Sequence, residues 1–433
     1  MELSVIVLVV SFTALVLVNV PIAISIAGAT LLTMLFTIAP VPAITTVAQQ
    51  MATGINSFAL LAIPFFVLSG LLMGRGGIAR RLIEFAKVLV GMFPGGLAYV
   101  NVLACMFFGA ISGSSVAATS AVGGFLLPMM EKEGYDKNFN AALTVTASTT
   151  GLLIPPSNIL IVYSLASGGV SIAALFIAGY LPGILVGLSL MAVAAVFSII
   201  KKYPVGTRPR LGEVAGKTLE ALPSLFLVVV VIGGIIAGVF TATEASAIAV
   251  IYALALSVGI YREVKISELP DILLKAVEIT AMVMLLIGAS KGMSWMLSYE
   301  NIPQGISSAL IGLTDNKVII LLIINLILLV VGTFMDMTPA VLIFTPIFLP
   351  VVTALGIHPI HFGIIMVLNL CIGLCTPPVG SVLFVGCGIA NTTIAKLIKP
   401  LLPLYIAMIA ALLLVTYIPA ISLALPGLFG YLK

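Results

Sequence analysis

The sequence predicts an all-α polytopic membrane protein. It reads as two inverted-topology repeats, each of about five spans plus one re-entrant hairpin. Three observations predict it. The chain is 61% hydrophobic and 8% charged, where a soluble domain carries about 25% charged residues. Apolar stretches of about 20 residues, enough to cross a bilayer, recur along it. A single ungapped offset of 222 residues pairs GAISGSSVAA (109–118), FLLPMMEKEGY (125–135) and TTGLLIPPSN (149–158) with VGTFMDMTPA (331–340), IFLPVVTALGI (347–357) and CIGLCTPPVG (371–380). The offset aligns Pro128 with Pro350, Gly134 with Gly356, Gly151 with Gly373, and Pro155 and Pro156 with Pro377 and Pro378. Residues 1–211 therefore form one repeat and 212–433 the other.

Both halves read as the same series. Apolar runs at 2–18 and 20–38 match runs at 222–240 and 245–260. Less apolar arms follow at 43–56 and 265–278, then spans at 57–74 and 279–298, then amphipathic stretches at 75–93 and 299–316. Hairpins at 95–130 and 318–356 precede Pro-Pro-interrupted spans at 138–167 and 360–389, and closing spans lie at 172–200 and 400–421. The N-terminal MELSVIVLVV has Glu2 and no basic residue, so it reads as a retained span rather than a signal peptide.

Charge sets the orientation. Of 19 Lys and Arg residues, 16 fall at 75–87, 132–137, 201–217, 262–275 and 396–399, whereas 39–56 and 167–171 have none. The positive-inside rule places the rich loops in the cytoplasm. Segment 95–130 is flanked by basic loops on both sides, so it enters and returns on one face, with its tip at Ser112–Ser115. By the same reasoning 318–356 enters and returns on the opposite face, with its tip near Met335–Pro339. The expectation is ten spans, two opposed hairpins and an external N-terminus.

The special segments suggest chemistry. Irregular backbone at membrane depth persists only where it is buried in protein or lines a wet cavity. The SGSS tip offers three hydroxyls and free carbonyls. Neither Pro155 nor Pro156 has an N–H, and their rings leave upstream carbonyls unpaired. The second copy offers Asp336 and Thr338 at its tip and Thr376 before its Pro-Pro. Hard cations such as Na⁺ take oxygen ligands from such helix ends, while half-helix N-termini face anionic groups. The plain alternative is a pair of kinked helices without ligands.

Asp336 is the only acid inside either hairpin, and an intramembrane carboxylate suggests function. Cation ligand, proton carrier and structural cap are its candidate roles. Thr243 reads as a helix cap and Glu244 as a first-turn charge. Lys291, four residues before Trp295, either snorkels or meets an anion. Asn101 and Asn325 read as helix staples. Cys105, Cys371, Cys375 and Cys387 read as small buried hydrophobes, and His358 and His361 make a poor metal site without a thiol or carboxylate beside them. No GxxxxGK[ST], HExxH or serine-hydrolase constellation occurs, and the net charge of +4 is a topology signal, not a nucleic-acid one. An enzyme is therefore not expected.

The motifs FFGAISGSSVAATSAVGG, LTVTASTTGLLIPPSN, GVFTATEASAIAVIYAL, GTFMDMTPAVLIFTPIFLP and GLCTPPVGSVLFV resemble those of the large membrane subunit of TRAP (tripartite ATP-independent periplasmic) transporters, over essentially the whole chain. The resemblance implies an elevator-type architecture of the ion-transporter superfamily and Na⁺-coupled uptake of an organic acid such as a C4-dicarboxylate or sialic acid. It implies two partners, a small four-span membrane subunit and a periplasmic substrate-binding protein, and a bacterial or archaeal inner-membrane location. It implies sodium sites at Ser112, Gly113, Ser114 and Ser115 with Thr150, Gly151 and Pro155, and at Asp336 and Thr338 with Gly373 and Thr376. Ser115, Ser157, Asn158, Thr338 and Pro378 are the implied substrate contacts. A stand-alone ion-coupled carboxylate carrier is the nearest rival reading; a channel is another class, disfavoured by the opposed hairpins.

Overall fold

A computed structural model describes residues 2–314, 316–377 and 380–432. Among them the chain is helical, with no strand beyond an isolated bridge between Pro94 and Val205. Among the described residues eight helical segments are long and apolar enough to cross a membrane, and four shorter apolar helices accompany them. Pro378 and Val379 lie outside the described residues, and the Pro378 contact expected from the sequence with them.

The first half begins with α1 (Glu2–Leu17), α2 (Ile22–Thr37) and α3 (Pro40–Gly54). A 3₁₀ turn at Phe58–Leu61 leads into α4 (Ala62–Arg75), followed by α5 (Ile78–Val90). The hairpin is α6 (Gly96–Ser112), the short α7 (Ser115–Ala118), a π turn at Thr119–Gly123 and α8 (Gly124–Lys132). The broken span is α9 (Lys137–Ser148), a 3₁₀ turn at Thr149–Leu152 and α10 (Asn158–Ala166); α11 (Ile172–Lys201) closes the half. The second half runs α12 (Leu211–Ile236), α13 (Ala242–Leu254), α14 (Leu269–Tyr299) and α15 (Ile302–Leu313). Its hairpin is α16 (Lys317–Phe334) and α17 (Met337–Ala354), its broken span α18 (Pro359–Leu374) and α19 (Ser381–Ile389), and α20 (Ile394–Tyr417) and α21 (Ala420–Leu428) end the chain.

Most helix boundaries recur at the 222-residue offset, and one pair of side-chain caps recurs with them. Asp136 caps α9 by accepting the Phe139 N–H at 2.8 Å, and His358, its counterpart, caps α18 through the Ile360 N–H at 3.2 Å. Two departures stand out. The arm and span expected as separate pieces at 265–278 and 279–298 are one 31-residue helix, α14. In the first half Gly54-Ile55-Asn56-Ser57 ends α3, whereas the offset positions hold Ala276-Val277-Glu278-Ile279, without a Gly or Asn to stop a helix. The closing span of the second half ends at Tyr417, because Pro419 cannot extend the hydrogen-bond ladder, and α21 follows. The cap before α13 is Thr241, not Thr243: Thr241 and Glu244 form a reciprocal capping box, and Thr243 Oγ1 donates to the Phe58 carbonyl at 3.1 Å.

The hairpins and broken spans interlock. α10 packs on α17 of the other half, and α19 packs on α7, the π turn and α9. Where first hairpin arm meets broken span, the contact is glycine on glycine. A Cβ built on Gly151 would lie 2.2 Å from Gly109 Cα, and one on Gly373 would lie 2.6 Å from Gly332 Cα. Residues related by the offset also touch, since Cys371 Sγ contacts the Thr149 carbonyl at 3.4 Å. Amide staples hold the buried layer. Asn101 Nδ2 donates to Thr144 Oγ1 at 2.6 Å, Asn325 Nδ2 to Thr416 Oγ1 at 3.1 Å, and Asn369 Nδ2 to Asn325 Oδ1 at 2.9 Å. Such intramembrane bonds contribute about 0.6–2 kcal/mol each. His361 is a further staple, joined to Ser422 and the Thr416 carbonyl rather than to any metal-ligating cluster. All four cysteines are free and buried, as the composition suggested.

The glycine contacts can be tested. Gly151→Ala drives a methyl into backbone and should cost about 1–3 kcal/mol, the usual cost of overpacking. Gly124→Ala, with nothing within 4 Å of its Cβ position, should be neutral. Thermal unfolding of the two purified variants against the parent would check this, and equal midpoints would remove the close-approach account.

Candidate functional site

The first tip is made by local chemistry. Gly113 ends α6 in the left-handed region (φ 60), where a glycine carries no steric cost. Ser114 then takes extended backbone and caps α7, its Oγ accepting the Ala117 N–H at 3.2 Å. Ser112 Oγ donates to the Ser114 carbonyl at 3.4 Å. This turn presses on the break in the first broken span. A Cβ built on Gly113 would lie 3.4 Å from both the Pro156 carbonyl oxygen and Asn158 Nδ2. The Pro155–Pro156 bond is cis. Asn158 Oδ1 is buried and has no hydrogen-bond partner among the described residues. An orphaned buried acceptor on a residue beside the Pro156 carbonyl and several hydroxyls fits a small cation or a donor-bearing ligand.

The second tip differs. Asp336 occupies the N-cap position of α17 in extended backbone, yet its carboxylate makes no capping hydrogen bond. The Met337 and Thr338 N–H groups lie on its side without reaching cap geometry. Its described partner is Ser381 Oγ, at a long 3.5 Å, at the start of α19. The second tip thus also faces the break of its own broken span. There Gly380 lies against two carbonyls, with a Cβ built on it 2.8 Å from the Leu374 oxygen and 3.0 Å from that of Thr376. Tyr405 of α20 donates its hydroxyl to the Cys375 carbonyl at the same break.

One cavity of about 500 Å³ joins the two tips, within the 300–1,000 Å³ range usual for small-molecule sites. Ser112, Gly113, Ser114, Ser115, Asn158, Asp336 and Thr338 all line it, as do Ser120 and Ser381. Other residues expected at the site do not line it. Thr150 Oγ1 donates to the Ala147 carbonyl at 2.6 Å, and Thr376 Oγ1 to that of Ile372 at 2.7 Å. Ser157 Oγ donates to the Leu152 carbonyl at 2.5 Å. Gly151 and Gly373 are occupied by the glycine contacts, and Pro155 is buried in the break. These residues shape the breaks while their side chains stay off the cavity. Lys291 lines a separate small pocket with Ser290 and Ser294.

α4 and α14 also line the cavity, and α4 packs directly on the first tip, where a Cβ built on Gly70 would lie 2.9 Å from the Ser112 carbonyl oxygen. The lining includes Lys275, which the charge count assigns to a cytoplasmic loop and the structure places in the second turn of α14. Ser381 was equally unmarked. Its signal was its position just past the Pro-Pro break, where a new helix must start.

Comparison with known proteins establishes the family and the fold. The chain is 55% identical over 420 residues to an uncharacterized protein, YgiK, of Salmonella typhimurium, covering 97% of this chain and 96% of that protein. It is 44% identical over 373 residues to the C4-dicarboxylate TRAP transporter large permease protein DctM of Pseudomonas aeruginosa, covering 86% and 87%. The fold is shared with the YdaH transporter of Alcanivorax borkumensis at a TM-score of 0.61 and 16% identity, over 86% of this chain and 87% of that one. The family model described as the DctM component of the tripartite ATP-independent periplasmic transporter matches residues 9–421. The chain therefore belongs to this family, as the large permease of a TRAP transporter.

Proposed function

We propose that this permease imports an organic acid, a C4-dicarboxylate, sialic acid or a related carboxylate, across a bacterial or archaeal inner membrane in symport with Na⁺. A periplasmic binding protein delivers the acid, and a small membrane subunit completes the carrier. The observation that carries this reading is the single cavity into which both tips open, each tip facing the break of its own broken span. Oxygens at a helix end suit Na⁺, and half-helix N-termini suit a carboxylate. At the first tip Ser112, Ser114 and Asn158 would hold the ion with nearby carbonyls; at the second, Asp336, Thr338 and carbonyls of the α18–α19 break, with Thr376 shaping that break. These are cargo sites, and no bond is made or broken at them.

Two inverted repeats and an elevator motion belong to the same reading. The recurrence of helix bounds at 222 residues supports the first. The interlocking of both hairpins with both broken spans supports the second, because a body that keeps its site intact can move past the remaining helices.

Uptake by proteoliposomes holding the permease, its small subunit and the binding protein tests the proposal. Uptake should require an inward Na⁺ gradient and the binding protein; uptake without that protein would favour a stand-alone carrier. Ser114→Ala and Thr338→Ala should each raise the Na⁺ concentration for half-maximal uptake about five- to hundredfold, from the loss of roughly 1–3 kcal/mol. Retention of the parent's sodium dependence by both would overturn the site assignment.

Asp336→Asn separates ligand from structure. Asn caps helices as well as Asp, and Asp336 makes no capping bond here. The variant should stay monodisperse while its Na⁺ requirement rises at least tenfold; normal uptake at all Na⁺ concentrations would make Asp336 structural.

Topology is checked independently. Lys87 and Glu133 are exposed, and both should face the cytoplasm. Lys87→Cys and Glu133→Cys, in a background lacking the four native cysteines, should react with an impermeant thiol reagent only from that side. Reaction from opposite sides would eliminate the first re-entrant hairpin.

A further inference from the structure

The cavity lining is of two kinds. The hairpin tips and broken spans supply hydroxyls, Asn158 and the Asp336 carboxylate. The lining from α4 and α14 is aliphatic at Ile63, Val67, Ile279 and Val283, and Lys275 is the one cationic side chain among the described residues lining the cavity. Asp271 and Glu278 sit four residues before and three after Lys275 on α14, spacings that often make helix ion pairs. Among the described residues, neither they nor Asp336 come within 4.0 Å of its ammonium. The charge is therefore uncommitted and borders the space where a ligand would sit.

An acid entering this cavity meets one fixed negative group and one fixed positive group. We infer that Lys275 is the anion receptor of the cavity and takes a carboxylate oxygen of the transported acid from the α14 lining. The inference rests on the organic-acid reading and adds the residue that recognises the charge. A lysine suits the role, because its compact ammonium on a flexible stem satisfies one carboxylate oxygen without the fixed bidentate geometry of arginine. Its methylenes can lie along the aliphatic wall while the ammonium reaches the ligand. Because α14 belongs to neither hairpin nor to a broken span, the bound acid would touch both the hydroxyls of the tips and a side chain from outside them.

The test uses the full chain with its small subunit in lipid nanodiscs. Thermal midpoints are recorded against rising succinate or N-acetylneuraminate at saturating Na⁺, and separately against Na⁺ alone; a ligand that binds the folded state raises the midpoint with its concentration. Lys275→Gln should weaken the apparent affinity for whichever acid stabilises the parent by about ten- to hundredfold, the loss of one charge-assisted hydrogen bond. Its response to Na⁺ alone should match the parent's, which also shows that the variant is folded. Lys275→Arg should keep most of the affinity. Acid affinity unchanged in Lys275→Gln would overturn the inference, as would joint loss of the acid and Na⁺ responses. Restoration of acid binding in Lys275→Gln/Asp336→Asn would also overturn it, by making Lys275 a counter-ion to Asp336. If neither acid stabilises the parent, the organic-acid reading fails first and takes the inference with it.

Discussion

An unpaired backbone group in a hydrocarbon environment is the constraint on which this architecture depends. Each such group costs several kcal/mol, so a helix cannot break at membrane depth unless something polar or proteinaceous surrounds the break. This chain breaks two helices, at Leu153–Ser157 and after Leu374, and encloses both. The first is covered by the Gly113 turn, and the second has Tyr405 on the Cys375 carbonyl and Ser381 starting the next helix. The hairpins follow from the same requirement, since a helix that turns back within the protein is the simplest cover for another that has come apart.

Close approach follows from enclosure. For a hairpin arm to bring its tip to the break, the two backbones must cross almost in contact. That explains glycine on both sides of each crossing, Gly109 with Gly151 and Gly332 with Gly373. With no hydrophobic driving force between helices in lipid, small residues and buried amides carry the association. Asn101, Asn325 and Asn369 serve that purpose here. The exposed pairs of Arg80 and Arg81 with Glu263, at 3.2 and 3.0 Å, add little by comparison.

Much of this was legible in the sequence, because breaks and tips are built from residues with strong local rules. Pro-Pro, SGSS and MDMTP each declare a departure from helix, and their repetition at one offset declares the second half. The two tips are found this way, while Asn101 and Asn325 read as staples from their place in the hairpin arms. What escaped was direction. Thr150, Thr376 and Ser157 have the right atoms in the right segments, but in a helix or tight turn a hydroxyl satisfies itself on a carbonyl three to five residues back. Sequence spacing does not reveal that choice. Lys275 escaped for a different reason: a charge count cannot distinguish a loop from the first turns of a helix, and only the continuity of α14 carries that lysine to the cavity. The Thr241 cap was displaced to Thr243 because two threonines two residues apart satisfy the same rule, and the reciprocal bond from Glu244 decides between them.

The continuity of α14 has a mechanical meaning. At 31 residues and 1.5 Å per residue the helix is about 46 Å long, half again the thickness of a hydrocarbon core of about 30 Å. It cannot stand upright within that core, so it must lean or project. Its first-half counterpart is jointed at Ile55–Ser57, and the angle between α3 and α4 can be set locally. α14 has no such joint. A tilt imposed near Trp295, at one end, is delivered undiminished to Lys275, near the other. The two halves therefore share a blueprint but not a stiffness, and the cavity is lined by both the jointed α4 and the unjointed α14.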